Sequence, residues 1–218
     1  MRVKICGIRS SADALLAAHL GADAIGVLVG QAHPSPDFIS AQQAHSILRV
    51  LPPFVSGVLV SHASDPEDLL MLIEQVQPTA VQIHSMMRVE CVATVRGRHP
   101  ELTLIKAVHV NGDEPLAMVR RYADLVDGVV GDSCNDATGQ VGGTGLTHDW
   151  GLSSDLAKQT KLPFLLAGGL TPENVKEAIA KVRPWGVDVN SGVKGTDGFK
   201  CPRRMKEFIG RARDRPHA

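Results

Sequence analysis

Short apolar, β-branched runs recur along the chain, each bounded by polar or glycine-containing breaks. They are VKIC (Val3 to Cys6), AIGVLV (Ala24 to Val29), VSGVLV (Val55 to Val60) and AVQIH (Ala80 to His84), then TLIKAV (Thr103 to Val108), DGVVGD (Asp127 to Asp132), PFLLAG (Pro163 to Gly168) and GVDVN (Gly186 to Asn190). Near-continuous apolarity predicts strands buried on both faces, as in a parallel sheet. Helical spacing and start signals fill the gaps between them. SADALLAAHLGA puts Leu15, Leu16 and Leu20 on one face, and SAQQAHSILRVL opens on Ser40 as an N-cap. DPEDLLMLIEQV carries acid in its first turn, and TPENVKEAIAKV has Thr171 at N-cap, Pro172 at N1 and Glu173 just after. Eight strands alternating with helices in 218 residues predict an α/β chain folded as a single-domain (β/α)8 TIM barrel over residues 1–218. A doubly wound open sheet is the structural runner-up, but no GxGxxG-type first turn supports it.

Composition narrows the class without changing that picture. The chain is 44% hydrophobic, and its 23 lysines and arginines balance 23 aspartates and glutamates. Neutrality of this kind offers no electrostatic footprint for nucleic acid or an acidic membrane surface. The ending RARDRPHA is locally basic, and residues 210–218 read as a frayed, solvated tail. No stretch approaches the roughly 20 apolar residues that span a bilayer, and the first residues pass straight into a strand pattern without a signal-peptide core. Cys6, Cys91, Cys134 and Cys201 are scattered with no CxxC pair or metal-ligand spacing, so free thiols in a reducing, cytoplasmic setting are the expectation.

In a barrel of this type the chemistry sits at the C-terminal ends of the strands. That rule selects Cys6, the loop HPSPDFIS with Asp37, His84, Lys106, Asp132, the GGTG loop, the AGG turn and the DVNSG turn. Gly168 and Gly169 precede a well-started helix, and Ser191 and Gly192 follow the eighth strand. Glycine turns at these two strand ends form the usual phosphate corner of the fold. Taken singly, each would be a tight turn. GGTG, with Gly143 and Gly145, follows a long loop that suits either an anion-facing nest or a lid, and equally a plain loop. Cys6 alone reads as an inert core thiol and Asp132 as a cap or ion-pair partner. A thiol and a carboxyl on one barrel mouth above a phosphate clamp suit paired proton transfer. His84 reads as a structural hydrogen-bonder or a substrate contact.

KICGI, GADAIGVLV, SPDFIS, VQIH, GGTGLTHDW, PFLLAGGLTPENV and GVDVNSGVKGTDGFK together resemble the phosphoribosylanthranilate isomerases of tryptophan biosynthesis, in order and to about Phe208. The resemblance implies a barrel without cofactor or metal, a small-molecule phosphosugar substrate, no nucleic-acid or membrane partner, and a monomer or homodimer. It implies an Amadori rearrangement with Cys6 as general base and Asp132 as general acid. The phosphate would lie on amides around Gly168, Gly169, Ser191 and Gly192, and Asp188 would face the substrate amine. Asp37, His84, Gly143 and Gly145 would line the rest of the substrate site.

Three stretches depart from the family pattern. Ser35–Pro36–Asp37–Phe38 stands where the family reads SPRY, whose arginine pairs with the anthranilate carboxylate. GTGLTHDW replaces GTGKTFDW, and VQIHS replaces VQLHG. Two readings follow: a tryptophan-pathway isomerase whose carboxylate contact has moved, to His33, Lys106 or Arg9, or a paralogue acting on a phosphosugar with a neutral or cationic aglycone. A silent phosphate-ligand-binding barrel is the third.

Overall fold

The structure is a computed structural model that describes residues 1–30, 35–110, 115–132, 134–135, 140–141 and 150–214. Eight strands close a parallel barrel: β1 (Arg2–Ile5), β2 (Ala24–Val29), β3 (Ser56–Ser61), β4 (Ala80–Ile83), β5 (Thr103–His109), β6 (Gly128–Asp132), β7 (Phe164–Leu166) and β8 (Gly186–Val189). Neighbours pair in sequence order and β8 returns to β1, with Lys4 opposite Asp188 and Ile5 opposite Val189. Closure is what the run of eight apolar strands predicts, and it excludes the open sheet. A two-residue antiparallel ribbon, Cys134–Asn135 with Gln140–Val141, stands apart after β6.

The helices on the outside are α1 (Ser11–His19), α2 (Ala41–Leu48), α3 (Pro66–Val76), α4 (Val89–Arg98), α5 (Pro115–Tyr122), α6 (Trp150–Gln159), α7 (Val175–Val182) and α8 (Pro202–Arg213). Ser40 caps α2 by accepting from the Gln43 N–H, and Asp65 caps α3 through Glu67 and Asp68. In α1 Ala14 and Ala17 are fully buried and Leu16 and Leu20 pack partly buried against the core, while Leu15 is exposed, which corrects its place on the apolar face. Before α7, Thr171 accepts from the Glu173 N–H through its hydroxyl and from the Val175 N–H through its carbonyl, and the regular helix then starts at Val175 with Asn174 at its N-cap. The Asn174 side chain accepts from the Thr171 N–H and donates to the Gly169 carbonyl, which ties the turn after β7 in place.

Alternation sorts each strand into an outward apolar set and an inward set. Val3, Ile5, Ile25, Leu59, Ile83, Leu104, Val129, Leu166 and Val187 belong to the large cluster between barrel and helices. Val58, Val60, Ala80, Ala107, Val130 and Leu165 fall in two small clusters with Cys6 and Ala167. Lys4, Gln82 and Asp188 share that inward parity and are buried, a polar layer where branched apolar side chains are usual. The far end of the barrel holds a cavity of about 330 Å³ that reaches up to Lys4, with Phe54 and Trp185 at its rim. Among the described residues no helix is long and apolar enough to cross a membrane.

The chain stays helical to Arg213, which corrects the expectation of a frayed tail from residue 210. Ala212 is buried, and the Arg213 guanidinium donates to the Gly21 carbonyl and to Asp23. Residues 215–218 lie outside the described residues. Because α8 carries Met205, Phe208 and Ile209 against the first and last units, Phe208→Ala is expected to cost about 3–5 kcal/mol. Denaturant unfolding of the variant checks this.

Candidate active site

The inward positions at the C-terminal strand ends form one ring. Cys6 follows β1, His84 follows β4, His109 and Asp132 end β5 and β6, and Asn190 follows β8. Cys6 and Asp132 are both buried, the first with its N–H bonded to the Val189 carbonyl at 2.8 Å. Gly7 turns the chain away at φ +68, and a side chain there would strike Asn190. Gly26 on the next strand lacks a Cβ where the Cys6 Sγ and Lys4 Cε already sit, 2.9 and 3.1 Å from the position it would take.

Beneath this ring, Lys4 Nζ donates to Asp188 Oδ2 at 2.7 Å and Gln82 Oε1 at 2.8 Å. The Cys6 Sγ and the Lys4 side chain meet over Gly26. Burial pushes the Cys6 thiol up to about 11; the charges of Lys4 and Lys200 pull against that rise, while Asp188 adds to it. Burial would lower Lys4, but Asp188 and the thiol outweigh it and hold the ammonium above its ordinary value. Asp188 Oδ1 is buried with no hydrogen-bond partner among the described residues. A buried carboxylate oxygen left open at the mouth is an acceptor awaiting a donor.

Gln82 fixes the other half of the network. Its carbonyl faces Lys4, so its amide donates to His84 Nδ1 at 3.1 Å. That contact leaves the His84 proton on Nε2, which faces Asp132 Oδ2 at 3.7 Å. His62 stacks on His84 with centroids 4.8 Å apart, Phe38 meets His62 edge-on, and His109 lies on the other side of His84. Burial, then the neighbouring His62 and His109, push His84 well below the ordinary imidazole value, and burial also lowers His109. Asp132 therefore sits beside neutral rings, while Cys6 sits beside cations.

Gly168 and Gly169 adopt φ of 80 and 63, a left-handed pair that turns the chain sharply after β7. Their N–H groups donate to no acceptor among the described residues. Ser191–Val193 forms a 3-10 turn after β8, and any Cβ on Gly192 would collide with the Leu170 carbonyl. The two turns are thus pressed together, as an anion cradle built on backbone requires. Arg204 holds the Gly192 carbonyl from outside at 3.0 Å.

Asp37 is 5% exposed and not open to the mouth as a lone charge. Lys194 Nζ straddles its two oxygens at 2.7 and 2.6 Å, Asn190 donates to it at 2.9 Å, and Arg9 Nε stands 4.0 Å away. Lys106 does not face the mouth. Its strand parity sends it outwards, where it donates to the carbonyls of Ser85 and Ala107 below the Tyr122 ring; burial lowers it to about 8. His33, Gly143 and Gly145 lie outside the described residues. The sequence reading missed Lys4, Gln82, His62, His109, Lys194 and Lys200. For Lys4 and Gln82 the two-residue spacing to Cys6 and His84 was the available signal; Lys194 and Lys200 had none beyond a loop rich in cations.

A closed eightfold barrel with a thiol, a carboxyl and a glycine anion corner at its C-terminal mouth defines an acid–base enzyme for a phosphorylated substrate. Residues 3–211 match the family model described as N-(5'phosphoribosyl)anthranilate (PRA) isomerase. The chain is 42% identical to N-(5'-phosphoribosyl)anthranilate isomerase 2 of Methanosarcina mazei over 98% of this chain and 95% of that protein. It is 41% identical to the Methanocella arvoryzae isomerase over 97% and 98%. Among solved structures, the phosphoribosyl anthranilate isomerase of Thermotoga maritima is 36% identical at a TM-score of 0.83, covering 97% of this chain and 98% of that one. Another, at 0.81 and 34% identity over 97% and 98%, holds reduced 1-(o-carboxyphenylamino)-1-deoxyribulose 5-phosphate. The chain belongs to the phosphoribosylanthranilate isomerase family.

Because folded His84 and His109 resist protonation, the unfolded chain binds more protons once pH falls below about 6.5. Stability is therefore expected to drop as pH goes from about 7 to about 5, and His84→Gln to flatten that slope. Thermal melts of both proteins across this range measure it.

Proposed function

We propose that this chain isomerises N-(5'-phosphoribosyl)anthranilate to 1-(2-carboxyphenylamino)-1-deoxyribulose 5-phosphate, a step of tryptophan biosynthesis, with Cys6 as base and Asp132 as acid. One observation carries the reading: thiol and carboxyl stand on inward positions of the same mouth, beside an unpartnered Asp188 oxygen. The phosphate would anchor on the amides of Gly168, Gly169, Ser191 and Gly192. Asp132 gives its proton to the ring oxygen while the amine lone pair forms the C1'=N bond and the C1'–O bond breaks. Asp188 Oδ1 accepts from the substrate N–H and offsets the positive charge that grows there. The Cys6 thiolate then takes the C2' proton, its electron pair forms the C1'=C2' bond, and the enolamine tautomerises to the ketone.

The thiol stays at about 11 even with Lys4 and Lys200 pulling it down, so Lys4 is a positioning and electrostatic partner whose loss would make Cys6 a still weaker source of thiolate. Asp37 lends no support to a cationic aglycone, since Lys194 already neutralises it.

Turnover is followed by the loss of substrate fluorescence. Cys6→Ser and Asp132→Asn are each expected to lower kcat by about 10²–10⁴-fold with little change in KM. Full activity in either variant would remove that residue from proton transfer. Lys4→Gln is expected to move the pH at which the Cys6 thiolate absorbs upwards, by about one unit or more. Ultraviolet titration of the folded variant reads that midpoint, which a loss of stability alone leaves in place.

A further inference from the structure

Asp37, in the loop after β2, is a buried carboxylate held by cations from other loops. Asp37 lies in the turn that follows β2, pinned by its own N–H to Ser35 Oγ and by the Ile39 N–H to the Leu28 carbonyl. Lys194, from the turn after β8, grips both carboxylate oxygens. The two members of this pair are not equally covered. The side chain of Asp37 is 7% exposed, that of Lys194 17%, and that of Arg9 22%. The acid faces into the protein, and the ammonium and guanidinium keep the solvent side.

Positive charge is in surplus here. Lys194 and Arg9 stand at Asp37, and Asn190 ties the group to the mouth: it donates to Asp37, accepts from Lys200 and packs against Gly7, next to Cys6. The cluster therefore adjoins Cys6 rather than lying on a remote face. Lys200 is committed to the backbone and side-chain oxygens of Asn190, both at 2.8 Å. Lys194 spends two of its three protons on Asp37, leaving one with no acceptor among the described residues. Arg9 is held rigid by bonds to the Pro36 and Gly198 carbonyls and by the Phe199 ring 4.5 Å away. A preorganised guanidinium beside an ammonium with a spare donor is a fitting receptor for a planar carboxylate.

We propose that Lys194 and Arg9 form the aglycone-carboxylate site of this enzyme, with Asp37 as the positioning residue that aims Lys194. The inference rests on the anthranilate reading above and names the groups that recognise that substrate.

The test is steady-state kinetics on two substrates, phosphoribosylanthranilate and its aniline counterpart, which lacks the carboxylate. Lys194→Met and Arg9→Met are each expected to raise KM for the carboxylate substrate about ten- to a hundredfold while leaving kcat and the aniline counterpart nearly unchanged. Asp37→Asn, which still offers Lys194 an acceptor, is expected to stay within about threefold of the parent on both substrates. The double variant Asp37→Asn with Lys194→Met avoids stranding a buried carboxylate and is expected to lose as much as Lys194→Met alone. Equal losses on both substrates, or Asp37→Asn as damaging as Lys194→Met, would overturn the proposal and make the pair a tie between loops. Should the parent fail to turn over phosphoribosylanthranilate, the functional reading falls separately. Calorimetric titration with the reduced carboxyphenylamino product analogue then decides the carboxylate site, which fails if Lys194→Met binds as the parent does.

Discussion

The ion pair between Lys4 and Asp188 is the contact on which the rest of the molecule depends. It joins the first strand to the last, 184 residues apart, and so stands at the seam where the barrel closes. Both groups are buried, and stranding either one would cost about 3–5 kcal/mol, far more than an exposed pair contributes. The pair is tolerated because Lys4 finds a further acceptor in Gln82. The same ammonium that completes the fold is therefore a charge that opposes the rise of the buried Cys6 thiol. Its partner keeps one oxygen without a hydrogen bond among the described residues.

From that pair the network divides the mouth electrostatically. On the β1 and β8 side stand Lys4, Lys200, Lys194 and Arg9, all cations around a thiol and two carboxylates. On the β4 to β6 side stand His84 and His109, held neutral by burial, next to Asp132. Gln82 links the two halves, and its orientation is dictated by Lys4 because an ammonium can only donate. That single constraint sets the His84 tautomer and hence which face it offers to the acid. Cations stand around a buried thiol on one side, and a carboxyl stands beside uncharged rings on the other.

Asp37 shows how little a charge means without its partner. In the sequence it looks like a repulsive group at the place where a carboxylate should dock. In the fold it is the buried half of a pair whose exposed half is Lys194. The loop rich in prolines fixes its position, and Asn190 shares it with the strand that carries Asp188.

The sequence by itself determined the strand order, the closure into a barrel and the end at which the site lies. Apolar runs at regular spacing leave few other ways to bury eight strands, and strand ends mark the mouth. It also placed Cys6, Asp132 and the glycine turns at the mouth, because these occupy strand termini that any reader of the pattern can count. Only the tertiary structure decided which neighbours these residues have. Lys4 with Asp188 and Asp37 with Lys194 are set by closure of the barrel, and both pairs lie more than 150 residues apart. Lys106 looked available at its strand end, yet its parity sends it to the helix layer. Local pattern fixes which side chains reach the mouth, and closure fixes what each of them touches there.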